Sequence, residues 1–317
     1  METRIIISQI IMLAVIVLTG VIAGKTKVFT VQSKDMLSKL IFNISLPMML
    51  FTNFLKLDVT PRLLANSMLV LSLAFFTILF MLLAGWIVAK ILKIGGGEAA
   101  VFRAHSMLGN TIFLGFPLIT ALYGVEGLLY ATMFQFVSSI LMWTLGVVVI
   151  THGDGSSWRK SVHKVFNINT FATIAGLVFF IFSIKLPDLI VKPLSEFGSA
   201  NTWLSMLYIG AMLAFSDIKG LLGKRSIYIL SVNRLVFVPA IIIAIFAIFY
   251  SFSGLEADKL VSSVIILEAS MPCMASVVIM ARELGADDHL AVGNVFVSTI
   301  LSILTLPVVL MAINKFL

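Results

Sequence analysis

The sequence predicts an all-α membrane protein of ten transmembrane helices, arranged as two inverted five-helix repeats. Three observations carry this. Ten apolar stretches fill nearly all of the 317 residues, each about long enough to cross a ~30 Å hydrocarbon layer, which takes roughly 20 helical residues. The composition, 60% hydrophobic and 12% charged with a mean hydropathy of +1.11, lies outside the range of water-soluble domains. The longest loop, residues 152–167, is basic and rich in Gly and Ser, and it separates two groups of five stretches. An odd number of helices per half turns the second half over in the membrane.

The first stretch, 5–21, follows Arg4 and runs into Val21-Ile22-Ala23, a small-residue end. It is longer than the ~7–15 apolar residues of a secretory signal core and many stretches follow it, so it reads as a helix that stays. The remaining spans are expected at 40–55, 64–89, 104–123, 128–150, 170–184, 194–215, 227–250, 260–281 and 290–313. The first repeat then covers 1–151, a cytoplasmic linker covers 152–167, and the second repeat covers 168–317. Tyr123-Gly124-Val125-Glu126-Gly127 before the fifth span parallels Leu284-Gly285-Ala286-Asp287-Asp288 before the tenth, and the same offset sets Ser138 against Thr299.

The net charge of +7 is distributed as topology. Lys25, Lys27, Lys34 and Lys39, then Lys90, Lys93 and Arg103, then Arg159, Lys160 and Lys164, then Lys219, Lys224 and Arg225 fall on one side. That side is expected to be cytoplasmic, which puts both termini outside. No continuous basic stripe exists to track phosphates, so nucleic acid is not an expected partner. The single cysteine, Cys273, rules out an internal disulfide and a cysteine-rich metal site. His152, His163 and His289 read as loop or surface residues, and His105 as a packing histidine satisfied within the helices.

Helix breaks inside a bilayer are tolerated only where protein, water or solute meets the freed backbone groups. The fourth span holds Gly109, Gly115 and Pro117 within His105–Pro117, and the ninth runs Glu268-Ala269-Ser270-Met271-Pro272-Cys273-Met274-Ala275-Ser276. Breaks at corresponding places in the two halves point to a midplane binding site, with helix-end amides available to an anion. Gly109, Asn110, Thr111, Ser270, Pro272 and Ser276 are the candidate solute residues there. The same residues also suit close helix packing or satisfaction of the broken backbone, and both readings stand at this level. Asn43 and Pro47 in the second span form a third polar interruption, open to the same two readings, with Asn201, Ser205 and Tyr208 as corresponding residues in the seventh. Two ionisable groups lie within spans. Arg234, near the cytoplasmic end of its helix, is expected to snorkel or to meet a phospholipid. Glu268 is a candidate site for a coupling proton or cation, or a structural hydrogen-bonding group.

Gly109-Asn110-Thr111-Ile112-Phe113-Leu114-Gly115-Phe116-Pro117-Leu118, followed by Ala121-Leu122-Tyr123-Gly124, resembles the Asn-Thr, Gly-x-Pro-Leu and Tyr-Gly sequence of the auxin efflux carrier family, which includes bacterial malate and malonate permease-like proteins. Leu46-Pro47, Met271-Pro272, Ser298-Thr299 and Thr305-Leu306-Pro307 extend the likeness over essentially the whole chain. The resemblance implies the sodium/proton antiporter-like, bile acid and auxin transporter type of fold, with broken helices crossing at Asn110 and Pro272. It further implies scaffold and transport parts formed from both halves, elevator-type alternating access and a homodimer. Asn110 resembles the family's crossover asparagine and Pro272 the crossover proline of the second repeat, while Gln135 or Ser138 falls near a polar, solute-facing position. Plant members often carry Pro before the crossover Asn, where this chain has Gly109, and the short 152–167 linker favours the bacterial type.

The expected function is therefore a secondary transporter, in a bacterial cytoplasmic membrane, of a small organic anion such as malate or malonate, without a cofactor and with coupling to H+ or Na+ left open. A solute channel is the nearest alternative. An enzyme is more distant, since no His-Glu-x-x-His, Gly-x-Ser-x-Gly or paired intramembrane aspartates occur.

Overall fold

The computed structural model describes residues 2–151, 165–215, 220, 222–253 and 258–316, and among these the chain is helical throughout, apart from turns and one isolated bridge. Residues 152–164 of the expected linker, with His152, His163 and the basic residues Arg159, Lys160 and Lys164, lie outside the described residues, as do Lys219 and Glu256.

In chain order the helices are α1 (Glu2–Lys25), α2 (Val31–Leu40), α3 (Leu46–Leu55), α4 (Pro61–Ile91), α5 (Gly96–Met107), α6 (Phe116–Leu141), α7 (Val147–Ile150), α8 (Ile168–Ile181), α9 (Asp188–Phe215), α10 (Arg225–Val232), α11 (Val238–Ser253), α12 (Lys259–Ala269), α13 (Ser276–Glu283) and α14 (Asp288–Phe316). Side-chain caps start several of them. Thr30 and Ser33 form a reciprocal capping box on α2, Asn167 accepts from the amides of Asn169 and Thr170 on α8, and Asp258 accepts from Leu260 on α12. Each satisfies amides that a helix leaves without an internal partner.

Among the described residues five helical stretches are long and apolar enough to cross a bilayer: Val31–Leu55, Pro61–Ile91, Thr111–Ile150, Arg225–Tyr250 and Asp288–Phe316. The fourth and ninth expected spans are each divided. α5 stops at Met107, where Leu108 turns to an extended backbone, and α12 stops at Ala269, six residues short of the bounds of α13. The fourth and fifth expected spans meet within α6 at Gly124, where the backbone leaves the helix with a φ of 64° that is open to glycine and strained for other residues.

Among the described residues four π-helical turns, Ile41–Ser45, Thr111–Gly115, Met142–Gly146 and Asn233–Phe237, interrupt the helices. Three of them end two residues before a proline, Pro47, Pro117 and Pro239. The proline ring collides with the carbonyl four residues back in a regular helix, and a widened turn moves that carbonyl aside. Leu46 N–H accordingly reaches Ile41 O, and Val238 N–H reaches Asn233 O, five residues back in each case. The interruption expected at Asn43 and Pro47 in the second span thus takes the form of a π turn.

Two compact units gather segments from both halves of the chain. The first comprises Met1–Leu69, Ile112–Met133 and Phe166–Ser216. In it α1 and α9 approach at backbone contact: a side chain on Gly20 would strike the Leu207 carbonyl, and one on Gly210 the Val17 carbonyl. α3 packs on α8 through Phe51–Phe179 and Phe54–Phe180, with ring centroids 5.4 and 6.2 Å apart. Phe113 lies edge-on to Phe42 and stacks on Tyr208 at 4.7 Å.

The second unit comprises Val70–Thr111, Phe134–Val165 and Asp217–Leu317. Its apolar centre includes Val101 of α5, Ile227 of α10, Ala281 of α13 and Leu290, Ala291 and Val297 of α14, all buried. Large apolar side chains such as Phe76, Phe237, Leu304 and Val308 stand exposed, as they do on helices whose solvent is lipid.

Candidate functional site: two paired helix breaks

Within the second unit the two breaks lie antiparallel, with Gly109 opposite Cys273. Asn110 N–H donates to the Pro272 carbonyl at 2.8 Å, and Met274 N–H donates to the Leu108 carbonyl at 3.3 Å. Each break thus supplies the partners that the other lost on leaving the helix, which removes the penalty of bare amides and carbonyls in an apolar medium. The surrounding helices complete the set. Ser298 Oγ of α14 accepts from Cys273 N–H at 3.0 Å, and Thr111 N–H donates to Gly109 O at 2.9 Å. The amides of Asn110, Thr111, Cys273 and Met274 are consequently engaged with protein, so the sequence-based picture of these amides standing ready for an anion changes.

Positive charge reaches the breaks from a side chain instead. Arg234, in the π turn after α10, is 1% exposed. Its Nε donates to Met271 O at 2.6 Å, and Nη1 donates to His105 O and Ser106 O at 2.7 Å each. Snorkelling, the expectation from its place in the sequence, would have required a water or headgroup environment. The freed carbonyls of α5 and of the second break provide stronger, charge-assisted acceptors inside the unit. Nη2 has no hydrogen-bond partner among the described residues and lies beside Gly109, where any side chain would collide with it.

His105, 0% exposed, is satisfied on both ring nitrogens. Nε2 meets Met274 O at 3.3 Å and Nδ1 meets Asn294 Nδ2 at 3.2 Å. A carbonyl only accepts, so the arrangement assigns the ring proton to Nε2 and leaves Nδ1 to accept from the Asn294 amide. Arg234, Asn294 and Ser298 were not among the candidate site residues. Their partners are backbone atoms or side chains distant in sequence, and only the polar pair Asn233-Arg234 in an apolar run signalled one of them.

The other candidates distribute as follows. Thr111 Oγ1 donates to Gln135 Oε1 in a short bond, and Gln135 Nε2 donates to Ser139 Oγ at 2.8 Å, so Gln135 and the first break are joined. Ser138 is buried one helical turn from Gln135 on α6. Ser270 Oγ donates to Ile266 O of its own helix at 2.6 Å. Ser276 opens α13 and is half-buried. Glu268, on the last turn of α12, is 0% exposed, and neither carboxyl oxygen has a hydrogen-bond partner among the described residues.

Asn43 and Pro47 belong to the first unit, so they are described apart from the breaks. Asn43 is exposed and Pro47 buried. It is Ser45 that engages the seventh expected span, through Asn201.

Several apolar helices long enough to cross a bilayer among the described residues, together with two helix breaks paired to each other, mark an integral, multi-pass membrane protein. The chain matches the family described as membrane transport protein over residues 5–157 and 155–310, and it belongs to that family, the auxin efflux carrier family. It is similar to an uncharacterized transporter of Methanothermobacter thermautotrophicus, 26% identical over 296 residues covering 92% of this chain and 93% of the relative. It is also similar to an uncharacterized transporter of Methanocaldococcus jannaschii, 25% identical over 302 residues covering 94% of this chain and 95% of that one.

Proposed function

We propose that this transporter moves a small organic anion, a mono- or dicarboxylate such as malate or malonate, and that the paired breaks are its solute site. The observation that carries the reading is the bond from Asn110 N–H to Pro272 O. It places the Asn110 side chain at a junction of two interrupted helices. The guanidinium of Arg234 bonds carbonyls of both breaks, and a fixed positive charge in a low-dielectric setting favours a carboxylate guest. Asn110, Thr111 and Gln135 would orient it, with Gly109, Ser138, Ser270, Pro272 and Ser276 shaping the surroundings.

The wider reading has ten crossings, as inverted repeats over 1–151 and 168–317, both termini outside, a homodimer in a bacterial-type cytoplasmic membrane, and elevator-type alternating access. Both breaks belong to one compact unit, which supports their travelling as a single body. Asn43 and Pro47 are also proposed to contact the solute, and Glu268 to take a coupling proton or cation.

The test is uptake of labelled malonate and malate by purified protein in liposomes. Saturable uptake that unlabelled carboxylate competes away is expected, and Asn110→Ala should lower it at least tenfold. Flux that rises linearly with solute would favour a channel, and no carboxylate flux at all would overturn the reading.

A further inference from the structure

We propose that Arg234 is a tethered cation: its guanidinium occupies the place where broken-helix carbonyls would otherwise gather a soluble Na+ or K+, so the breaks carry a permanent positive charge and need no bound metal ion. Carbonyl oxygens released where membrane helices unwind, and those at half-helix C-termini, are the usual ligands of coupling cations. Here three oxygens of that kind, from His105, Ser106 and Met271, converge on one guanidinium at 2.6–2.7 Å. Two come from the last turn of α5, the negative end of a helix dipole, and the third from the opposite break. One group of unit charge therefore joins both broken segments, as a coordinated monovalent cation would.

Two further features fit a built site rather than an incidental contact. The guanidinium is buried with the alkyl stem inside the unit, and such burial of a charge persists only where acceptors compensate it. Gly109 supplies the room: its missing side chain leaves the space that Nη2 fills. The glycine that stands where plant relatives often have proline thus has a steric task as well as a conformational one. The consequence is ionic. A site whose charge is covalently held does not depend on Na+ concentration, and any coupling of solute movement would fall to a proton.

This inference rests on reading the paired breaks as the solute site, but its test uses no solute, so carboxylate uptake and cation response can fail separately. Thermal unfolding midpoints of the purified protein are measured in sodium, potassium and choline chloride at equal ionic strength. The wild type is expected to show the same midpoint in all three, and a rise specific to sodium or potassium would overturn the proposal. Arg234→Ala is expected to unfold at a lower temperature and to recover partly with added Na+ or low-millimolar guanidinium, but not with urea, the uncharged compound of the same shape. Arg234→Ala with an unchanged midpoint, or without any cation response, overturns it. If Arg234→Ala does not fold, Gly109→Ala decides: it should displace the guanidinium and gain the cation response, while Arg234→Lys, which keeps the charge, should not.

Discussion

Ser45 Oγ donates to Asn201 Oδ1 at 2.9 Å, linking the second and seventh expected spans across 156 residues of sequence, with both side chains at 0% exposure. Asn201 Nδ2 has no partner among the described residues, so this is the amide's one recorded anchor. Ser45→Ala should therefore destabilise the protein by about 0.5–2 kcal/mol, the range for a buried interhelical hydrogen bond whose loss strands its partner. A denaturation midpoint equal to wild type would show that the amide finds another acceptor or donor.

Gly210 lets α9 touch α1 along the backbone. Gly210→Ala places a methyl group against the Val17 carbonyl, and overpacking at such a contact costs about 1–3 kcal/mol. Gly97→Ala is the matched control, since nothing lies within 4 Å of the position its side chain would take. In that open helical setting alanine is favoured by up to about 1 kcal/mol. Thermal unfolding of the two variants should move in opposite directions.

Two substitutions at Asn110 separate solute contact from architecture. Asn110→Ala keeps the amide that bonds Pro272 O, so uptake should fall while the breaks stay joined and the protein remains monodisperse. Asn110→Pro removes that amide, strands the Pro272 carbonyl and should cost about 1–3 kcal/mol, measured as a lower unfolding midpoint. Equal folding of the proline variant would mean that the breaks hold together without this bond.

Glu268 is a carboxyl group without a partner among the described residues. Burying a polar group without a hydrogen bond costs about 1–3 kcal/mol, so Glu268→Leu should raise the unfolding midpoint. Glu268→Gln should retain solute exchange between liposome compartments and lose proton-driven accumulation. A fall in midpoint for Glu268→Leu would reveal a structural bond, and unchanged accumulation in Glu268→Gln would remove the residue from coupling.

Breaks in helices were legible because they are written in residue type: Gly109 and Pro272 interrupt apolar runs that otherwise span, and both lie where helices stop. The apolar runs themselves were legible for the same reason, since length and hydropathy are local properties. What the breaks bind was not. Arg234 reads as a charge near a helix end, and its actual acceptors are carbonyls of His105, Ser106 and Met271, which carry no side-chain signature. The π turns escaped similarly, because a proline announces strain in the preceding turn without saying whether the helix kinks, stops or widens. Ser45 was passed over for its neighbour Asn43 because a run of polar residues does not reveal which one faces inward, and the widened turn after Leu40 shifts the helical phase.

The pairing of the two breaks bears on how the protein is made. Polypeptides leave the ribosome N-terminus first, so Leu108 and Asn110 enter the bilayer while Pro272 and Met274 are still unsynthesised. Until then the first break holds an amide and a carbonyl without their eventual partners, a condition that lipid penalises strongly. Nascent chains must shelter this segment in water, in the translocation channel or against a chaperone, and truncated products ending before Pro272 would be the natural targets of membrane proteolysis.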